Sequence, residues 1–516
     1  MNVTSLTHRP HPSVNFRKAN TDSKPEPPSQ SEDCWKGPVD HGGYLHITPT
    51  EKEKASHIPE GWKDEILYFP MTDRFHDGDP SNNLDVDRSK PYGFHGGDLK
   101  GLTEKLDYIK DLGATAIWLT PPTENTKVLN LPGRDIYGYH GYWVRDHYEV
   151  EPRQGNLDDV KKLVSEAHKR GMKVVLDVVL NHVGYDHPFA HDPAKHGWFH
   201  HNGDIHDWDD PFQRENGNLA GLPDLNQDNP ETYEYLLENT RWWVNEMGFD
   251  GVRLDAIKHV NIDFWRKFIP DLKERTGKDD LFVVGEVFHG DPAFQAAYQH
   301  AGVDSLFDFP LYYTIRDAFG RGASARRLAN HFEQDRHYKD PDALVTFIDN
   351  HDIPRFVNNT NGHGRQRLKN ALAFITAARG IPMLYYGTEV AMEGGEDPDN
   401  RRDMQFGKDP ELTGYVTRLN NLRTSTPALK YGEQLEMWQD EDVFAFARRH
   451  EGQEVISAFN VRDWGQKRRI PLREGSPLSD GTVLKDQLSD RTYTVKDGHI
   501  EIDLPERTAA ILVPQS

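Results

Sequence analysis

The feature of this sequence that most constrains its fold is a repeated alternation of short apolar segments with amphipathic stretches. Eight segments are rich in β-branched and aromatic residues, and most precede a stretch such as NLDDVKKLVSEAHKRG whose apolar positions recur three and four apart. Several of those stretches end in Gly just before the next apolar segment, where a helix is expected to stop. The eight candidate strands cover residues 65–75, 114–121, 173–182, 249–259, 281–288, 305–310, 343–352 and 381–389. This pattern predicts an α/β protein, a closed (βα)8 TIM barrel with a packed interior.

Two parts of the chain do not fit the barrel pattern. Nearly fifty residues rich in His, Asp, Asn, Gly and Trp separate the third strand from the next helix. A structureless loop of that length is improbable in a compact barrel, so we predict a small inserted domain. After about residue 430 the helical pattern gives way to alternating segments, which predict an antiparallel β-sandwich. The predicted parts are a flexible tail and lead-in (1–61), the barrel (62–182 and 230–430), the insert (183–229) and the C-terminal domain (431–516).

The charge balance narrows the class of partner. With 61 Lys and Arg against 83 Asp and Glu, the formal net charge is −22. A chain this acidic is repelled by phosphate backbones and anionic lipid surfaces, which argues against binding of nucleic acid or membrane. A neutral or cationic substrate is favoured, although adaptation to high salt would produce the same balance.

Cysteine content and hydropathy bear on the compartment. Cys34 is the one cysteine, so no intramolecular disulfide can form. No run of eighteen apolar residues and no apolar signal segment is present, so we expect a cytoplasmic protein. We also expect it to be a monomer. Secretion stays open if the chain is a processed or engineered form.

Polar residues follow four of the predicted strands at the end where barrel enzymes carry their active sites. A lone carboxylate there is usually a solvated strand end, but four such ends on one rim predict a site. They are Asp177 with Asn181 and His182, Asp255 with His259, Glu286, and His351 with Asp352. Neighbouring carboxyls raise one pKa and leave another group ionised, as an acid–nucleophile pair requires. Arg253 faces the same side of its strand as Asp255, so we expect it to keep Asp255 ionised.

Five segments in this order resemble those of the α-amylase family of retaining glycoside hydrolases (glycoside hydrolase family 13). They are LDVVLNHVG (176–184), LPDLN (222–226), GVRLDAIKHV (251–260), VVGEVF (283–288) and FIDNHD (347–352). The resemblance extends from about residue 62 to the end, and is nearest to calcium-binding α-amylases related to cyclodextrin glycosyltransferases.

The resemblance assigns roles to individual residues. It implies Asp255 as nucleophile, Glu286 as general acid/base, and Asp352 as the carboxylate that grips substrate hydroxyls and distorts the ring. Two carboxyls about 5–5.5 Å apart would then cleave the bond with retention of configuration. Asp177 is expected to organise the barrel end rather than touch substrate. The residues expected to bind substrate are His140, Tyr142, Trp143, His182, Arg253, Lys258, His259, Phe288, His351, Asp397 and Arg401.

The same resemblance implies two calcium sites, with the oxygen ligands that suit Ca²⁺. The first joins the insert to the barrel through Asn181, Asp224 and the carbonyl of His259. The second lies in an early loop and uses Asp77, Asp79, Asn82, Asn83, the Gly96 carbonyl and Asp98. The histidines of 187–206 fit no tetrahedral zinc pattern.

The leading function is endo-hydrolysis of α-1,4-glucans. The alternatives are a cyclomaltodextrinase or maltogenic amylase and a 4-α-glucanotransferase. A non-catalytic barrel homologue is the least favoured alternative, because the chain retains all three carboxylates of the family. Cyclodextrin glycosyltransferases carry an aromatic residue where this chain has Ala220, which argues against cyclisation. We also expect no starch-binding module after the C-terminal β domain, and no N-terminal domain like that of dimeric cyclodextrin-hydrolysing enzymes. The LPDLN segment is intermediate between the forms found in the amylase and oligoglucosidase branches of the family. A preference for α-1,1 or α-1,6 bonds therefore stays an open alternative.

Overall fold

A computed structural model describes residues 58–515 of the chain. Cys34 and nearly all of the predicted tail 1–61 lie outside the described residues.

Eight parallel strands form the centre of the molecule, and they are the eight that the sequence predicts. In chain order they are β1 (Leu67–Phe69), β2 (Ala116–Leu119), β3 (Lys173–Val178), β4 (Gly251–Leu254), β5 (Phe282–Gly285), β6 (Ser305–Leu306), β7 (Val345–Thr346) and β8 (Ile381–Tyr385). The sheet order is β6-β5-β4-β3-β2-β1-β8-β7, and a parallel bridge between Phe307 and Val345 brings its two edges together. The predicted barrel is therefore confirmed, with strands shorter than the apolar segments that contain them.

Helices alternate with these strands and surround them, and their ends follow the sequence signals. Asn156 caps the helix Leu157–Lys169 in a capping box with Asp159, and Asn229 caps Pro230–Met247. Gly248, at φ 86°, ends the latter helix in the left-handed conformation that glycine adopts without strain. The other main helices are Leu99–Glu104, Leu106–Asp111, Ile262–Thr276, Pro292–His300, Phe309–Ile315, Arg326–Phe332, Gly364–Ala377, Pro410–Ser425 and Pro427–Tyr431.

Aromatic side chains fill the barrel interior below the rim. Phe69 of β1 stacks on Trp118 of β2 with ring centroids 3.6 Å apart, and Phe307 packs on Trp118 from the other side. All three rings are buried. These side chains fill the barrel interior and leave no space there for a ligand. The functional site must therefore lie on the rim of the barrel.

Two antiparallel pairs project between β2 and β3, and the sequence analysis does not predict them. Thr123–Asn125 pairs with Val144–Val150, and Val128–Leu131 pairs with Arg134–Tyr137 in a hairpin. Gly133 turns that hairpin at φ 84°. The segment 138–143, which the sequence analysis places in the substrate cleft, follows this hairpin directly.

The insert after β3 consists of short helical turns. They are Pro188–His191, Pro193–Trp198, Pro211–Asn216 and Leu219–Gly221, held together by isolated bridges that pair His182 with Asp224, Phe199 with Leu225, and Asp204 with Asn218. The first of these bridges joins the end of β3 to the far end of the insert, which folds the insert over the rim.

The C-terminal part is the predicted antiparallel β structure. Its strands are β9 (Glu433–Gln439), β10 (Val443–His450), β11 (Gln453–Asn460), β12 (Gln466–Pro471), β13 (Val483–Asp486), β14 (Thr492–Thr494), β15 (His499–Leu504) and β16 (Ala509–Pro514). Six form a sheet in the order β9-β10-β11-β16-β13-β14, and β12 pairs with β15. Within residues 58–515, no helix has both the length and the apolar content needed to cross a membrane.

Candidate active site

Three carboxylates meet at the rim of the barrel, on the side where the strands end. Asp255 follows β4 directly, Glu286 follows β5, and Asp352 lies in the loop after β7. The Asp255 amide donates to the Val178 carbonyl at 3.0 Å, and the Glu286 amide donates to the Leu254 carbonyl at 3.0 Å. Asp255 and Glu286 are thus fixed by hydrogen bonds to the neighbouring strands, on rigid elements of the barrel.

Arg253 lies beneath these carboxylates and links them. Its Nη1 contacts Asp177 Oδ1 at 2.9 Å and Asp255 Oδ1 at 2.6 Å, while its Nη2 contacts Glu286 Oε2 at 2.8 Å. The guanidinium is fully buried, and Asp177 is held in turn by Tyr142 Oη at 2.8 Å and Trp118 Nε1 at 2.9 Å. One planar cation therefore fixes the position of Asp255 and Glu286 relative to each other.

These contacts differentiate the oxygens within each carboxyl. Glu286 Oε2 accepts from Arg253 Nη2 and from the Ala256 amide at 3.1 Å. An oxygen with two N–H donors is unsuited to carry a proton, so a proton on Glu286 would lie on Oε1. Asp255 Oδ1 accepts from Arg253, which leaves Oδ2 without that contact.

Ala256 adopts a strained backbone conformation next to Asp255. Its φ is 50°, in the left-handed region that residues other than glycine rarely occupy. This turn directs the Ala256 amide to Glu286 Oε2, so the strained conformation positions a donor at that carboxyl.

Burial raises the pKa of Asp255 well above its usual range, and the Glu286 carboxylate beside it raises that pKa further. Arg253 opposes both effects by favouring the ionised form. Burial also raises the pKa of Asp177 against the same cation. The pKa values of Asp255 and Asp177 therefore lie above the ordinary aspartate value, and Arg253 limits both shifts.

Asp352 lies across the cleft in a different polar network. Its Oδ1 lies 3.3 Å from Arg401 Nη2, and its Oδ2 lies 3.4 Å from His351 Nε2. Arg401 also donates to the His351 carbonyl at 2.8 Å and pairs with Asp397 at 3.2 Å. More than a third of the Asp352 side chain is exposed to the cleft, so its oxygens can reach a substrate hydroxyl.

A cleft of about 550 Å³ opens above these groups. Of the sequence-predicted residues, those lining it are His140, Tyr142, His182, Asp255, Lys258, His259, Glu286, Phe288, His351, Asp352 and Arg401. Three predicted substrate residues do not line it. Arg253 lies under the carboxylates, Trp143 packs against His140 and Tyr185, and Asp397 pairs with Arg401.

Two predicted histidines differ in what they offer a ligand. His182 Nε2 donates to the Tyr142 carbonyl at 3.1 Å while its Nδ1 lies 3.1 Å from Asn181 Nδ2, so both ring nitrogens are engaged. His140 Nδ1 accepts from the Tyr142 amide at 3.1 Å, and burial lowers the pKa of His140 well below its usual value. A neutral His140 therefore carries its proton on Nε2 and can donate it.

The insert supplies cleft residues that the sequence analysis misses. Trp208, Leu219 and Leu222 line the same cleft, and Trp208 is 53% exposed. Phe288, on the barrel side, is also exposed. The sequence around Trp208 has no periodicity to mark it, because the insert contains no long helix or strand.

Residues 69–430 match the family model of the alpha-amylase catalytic domain, which is more than half of the chain. The chain belongs to the α-amylase family. The resemblance seen in the five sequence segments is thereby confirmed, and the protein is a glycoside hydrolase or transferase of that family.

Named relatives of this α-amylase family member include both hydrolases and a transferase. A solved α-amylase from Anoxybacillus is 43% identical with a TM-score of 0.83, over 89% of this chain and 99% of that one. A beta/alpha-amylase from Paenibacillus polymyxa is 40% identical over 87% of this chain, which spans only 38% of that protein's length. A solved cyclomaltodextrin glucanotransferase with a three-domain ABC distribution is 33% identical with a TM-score of 0.78, over 87% of this chain and 98% of that one. A three-domain distribution thus occurs in a cyclomaltodextrin glucanotransferase, so the number of domains does not distinguish hydrolysis from cyclisation.

Buried oxygen atoms without partners lie at both predicted calcium sites. At the junction of insert and barrel they are Asn181 Oδ1 and Asp224 Oδ1. Asp224 Oδ2 lies 2.7 Å from His200 Nδ1, and burial raises the Asp224 pKa to about 6. An uncompensated buried oxygen is costly, so these atoms fit a bound cation.

In the early loop the unpartnered oxygens are Asp77 Oδ1, Asn82 Oδ1 and Asn83 Oδ1. The other two predicted carboxylates of this loop already have donors. Asp98 caps a helix through the Gly101 amide, and Asp79 accepts from Ser81. Hence the first three residues fit a cation better than Asp79 and Asp98 do.

Proposed function

We propose that this enzyme is a retaining endo-hydrolase of α-1,4-glucosidic bonds in starch and maltooligosaccharides. The observation that carries the proposal is the bridging of Asp255 and Glu286 by one guanidinium under an open cleft. Two carboxyls held by the two ends of a single guanidinium suit the separation of about 5–5.5 Å used by retaining glycosidases.

The reaction follows from the free oxygen of each carboxyl. Asp255 Oδ2 attacks the anomeric carbon as the bond to the leaving oxygen breaks, and the proton on Glu286 Oε1 moves to that oxygen. A glycosyl ester of Asp255 results. Glu286, now ionised, removes a proton from water, which attacks the same carbon and releases Asp255. Two inversions restore the starting configuration.

Groups around the cleft support the binding of a sugar chain. Tyr142 stacks parallel to His351 with ring centroids 5.2 Å apart beside the carboxylates, presenting an apolar face to a pyranose ring. His140 Nε2 and Asp352 offer a donor and an acceptor for hydroxyl groups. The substrate partner in this proposal is therefore a neutral α-glucan, consistent with the acidic charge of the chain.

Ala220 supports hydrolysis over cyclisation. It lines the cleft with a methyl side chain, at the position where the resemblance places an aromatic residue in cyclodextrin glycosyltransferases. A methyl group gives a glucan no ring to curl around. The alternative function is glucan transfer or cyclodextrin hydrolysis. The 33% identity to a three-domain glucanotransferase supports transfer as an alternative.

Calcium at two sites completes the proposal. Asn181, Asp224 and the His259 carbonyl would hold one ion, and Asp77, Asn82 and Asn83 would supply ligands to the other. The Gly96 backbone packs closely against Asn83, because a Cβ on Gly96 would lie only 2.4 Å from Asn83 Oδ1. Both ions would be structural, because neither ligand set includes Asp255, Glu286 or Asp352.

The test is a digestion of an end-blocked maltoheptaoside by the wild-type enzyme and Asp255→Asn, with products resolved over time. Cleavage of the blocked substrate to short maltooligosaccharides, abolished in the variant, is the expected result. If the blocked substrate survives while cyclodextrins are consumed, the result would contradict endo-hydrolysis and favour the alternative function. Absence of any cleavage with calcium present would contradict both.

A further inference from the structure

A buried amide holds the loop that carries Asp352. Asn400 lies in the short helical turn Asp399–Arg401, and it has no solvent exposure. Its Nδ2 donates to the His351 carbonyl at 2.7 Å and to the Ile353 carbonyl at 3.0 Å. Those two carbonyls belong to the residues immediately before and after Asp352. One side-chain amide therefore fixes the backbone on both sides of this carboxylate.

The hydrogen bonds around Asp352 hold its backbone and leave its side chain accessible. An amide NH2 group has two donors, and in Asn400 both are used on the loop. From the other direction, the Asp352 amide donates to Asn350 Oδ1 at 2.8 Å. The Asp352 side chain is nevertheless more than a third exposed to the cleft. The carboxylate thus projects toward substrate from a backbone that is held at three points.

Asn400 is itself anchored to the barrel. The Nε of the fully buried Arg355 donates to the Asn400 carbonyl at 2.9 Å. Arg355 also donates to the carbonyl of Tyr386, just after β8, and its guanidinium lies over the Tyr385 ring of β8 at 4.0 Å. The amide therefore takes its position from a barrel strand, which is the rigid support that a precise site requires.

Asn400 does not line the cleft, so it can affect the reaction only through the residues that it holds. Loss of its amide would leave the Ile353 carbonyl without this donor, and the His351 carbonyl with Arg401 Nε alone. The loop would then be free to shift. A displacement of about 1 Å in a group that contacts the reacting substrate can cost about a hundredfold in rate.

We propose that Asn400 is a positioning residue, which directs the Asp352 carboxylate toward the substrate by fixing the backbone on both sides of it. The inference rests on the proposed function for the role of Asp352. The family resemblance gives Asn400 no role, although it places Asp397 and Arg401 of the same segment in contact with substrate. Asn400 acts beneath those contacts and does not touch the substrate itself.

Steady-state kinetics on the blocked maltoheptaoside test this role in Asn400→Ala. The matched control is Asn420→Ala, since Asn420 is also a buried amide and donates to the Leu112 carbonyl at 2.8 Å, away from the cleft. We expect Asn400→Ala to lose about tenfold in kcat while KM changes less than about twofold, because Asp352 acts mainly in the transition state. We expect Asn420→Ala to lose stability and to keep the wild-type kcat.

A double-mutant cycle with Asp352→Asn distinguishes positioning from a general loss of structure. If Asn400 acts through Asp352, the double variant Asn400→Ala/Asp352→Asn should be slower than Asp352→Asn alone by no more than about twofold. An aryl maltotrioside with a good leaving group keeps these slow variants measurable. Losses that multiply in the double variant, or equal kcat values for Asn400→Ala and Asn420→Ala, would overturn the inference.

Asn400→Ser retains one donor and replaces Asn400→Ala in the same cycle if the alanine variant has no cooperative thermal transition. Its kcat should lie below the wild-type value, and the loss should disappear in the Asp352→Asn background. Failure of the wild type to cleave the heptaoside, or undiminished activity of Asp352→Asn, would instead contradict the proposed function. Normal wild-type cleavage with an unchanged kcat in the Asn400 variants would contradict the role of Asn400 alone.

Discussion

At the residue scale, the catalytic centre depends on how one guanidinium divides its contacts. Arg253 gives Nη1 to Asp177 and Asp255, and Nη2 to Glu286. It is buried, so its position is set by packing against Trp118 rather than by solvent. This arrangement leaves one oxygen of Asp255 and one of Glu286 free, and it limits how far burial raises the pKa of Asp255.

The raised pKa of Asp255 sets the acidic limb of activity. In the proposed mechanism Asp255 must be ionised to attack, so kcat/KM falls as the pH drops through the Asp255 pKa, which lies above the ordinary aspartate value. Arg253→Lys keeps a charge but loses the planar fork, so it stabilises the carboxylate less. We expect its acidic limb to move to higher pH, measured as kcat/KM against pH on a blocked maltooligosaccharide. A limb that stays in place, or moves down, would contradict this role.

The backbone strain at Ala256 makes a second prediction at this scale. A β-branched residue at φ 50° is strained by about 1–3 kcal/mol, and relief of that strain would turn the Ala256 amide away from Glu286. We therefore expect Ala256→Val to lose at least about tenfold in kcat, on the scale of about 1.4 kcal/mol per tenfold. The matched control is Ala391→Val, which has the same φ of 50° and does not line the cleft. Equal losses of activity in the two variants would show that strain alone is responsible.

At the element scale, the sequence predicts the barrel well and the insert poorly. The strands β1 to β8 are specified by apolar runs, and Asp255, Glu286 and Asp352 follow from their place at strand ends. Trp208 and the hairpin Val128–Leu131/Arg134–Tyr137 are not predicted, because short turns and exposed strands have no periodic pattern. Their placement depends on contacts across the cleft, which only the folded chain brings together.

Trp208 gives the prediction for this scale. It is exposed within the cleft, its ring meets that of His259 edge to face at 5.8 Å, and Lys258 and Phe288 line the same cleft. We expect Trp208→Ala to weaken the binding of long maltooligosaccharides, seen as a raised KM for maltoheptaoside with a smaller change for maltotrioside. Phe212→Ala is the matched control, since Phe212 is exposed on the same insert but does not line the cleft. A similar KM change in both variants would rule out a specific contact.

At the scale of the whole molecule, hydrogen bonds join the insert to the barrel beside the catalytic cleft. His182 and Asp224 form an isolated β-bridge. The Arg214 carbonyl accepts from His259 Nδ1 at 2.9 Å, and Glu215 Oε2 accepts from Asn261 Nδ2 at 3.1 Å. Between these contacts lie the unpartnered oxygens of Asn181 and Asp224. An ion there would replace missing hydrogen bonds and fix the insert over the cleft.

Removal of calcium tests this view of the molecule. An ion that binds only the folded state, present at a hundred times its Kd, adds about 2.7 kcal/mol of stability. We expect chelation to lower the Tm and the activity together, and added Ca²⁺ to restore both. In Asn181→Ala the Tm should respond less to chelator than in the wild type, and Asn261→Ala serves as the control at the same junction. A Tm indifferent to chelator would contradict the calcium proposal and leave the catalytic assignment intact.

The account as a whole is tested most directly by the configuration of the first product. Proton NMR of an end-blocked maltoheptaoside, recorded from the first seconds of digestion, distinguishes α from β reducing ends before mutarotation mixes them. Attack by Asp255 with Glu286 as acid/base predicts α products that appear from internal cleavage, and none in Asp255→Asn. Initial β products, or undiminished cleavage by Asp255→Asn, would contradict the account.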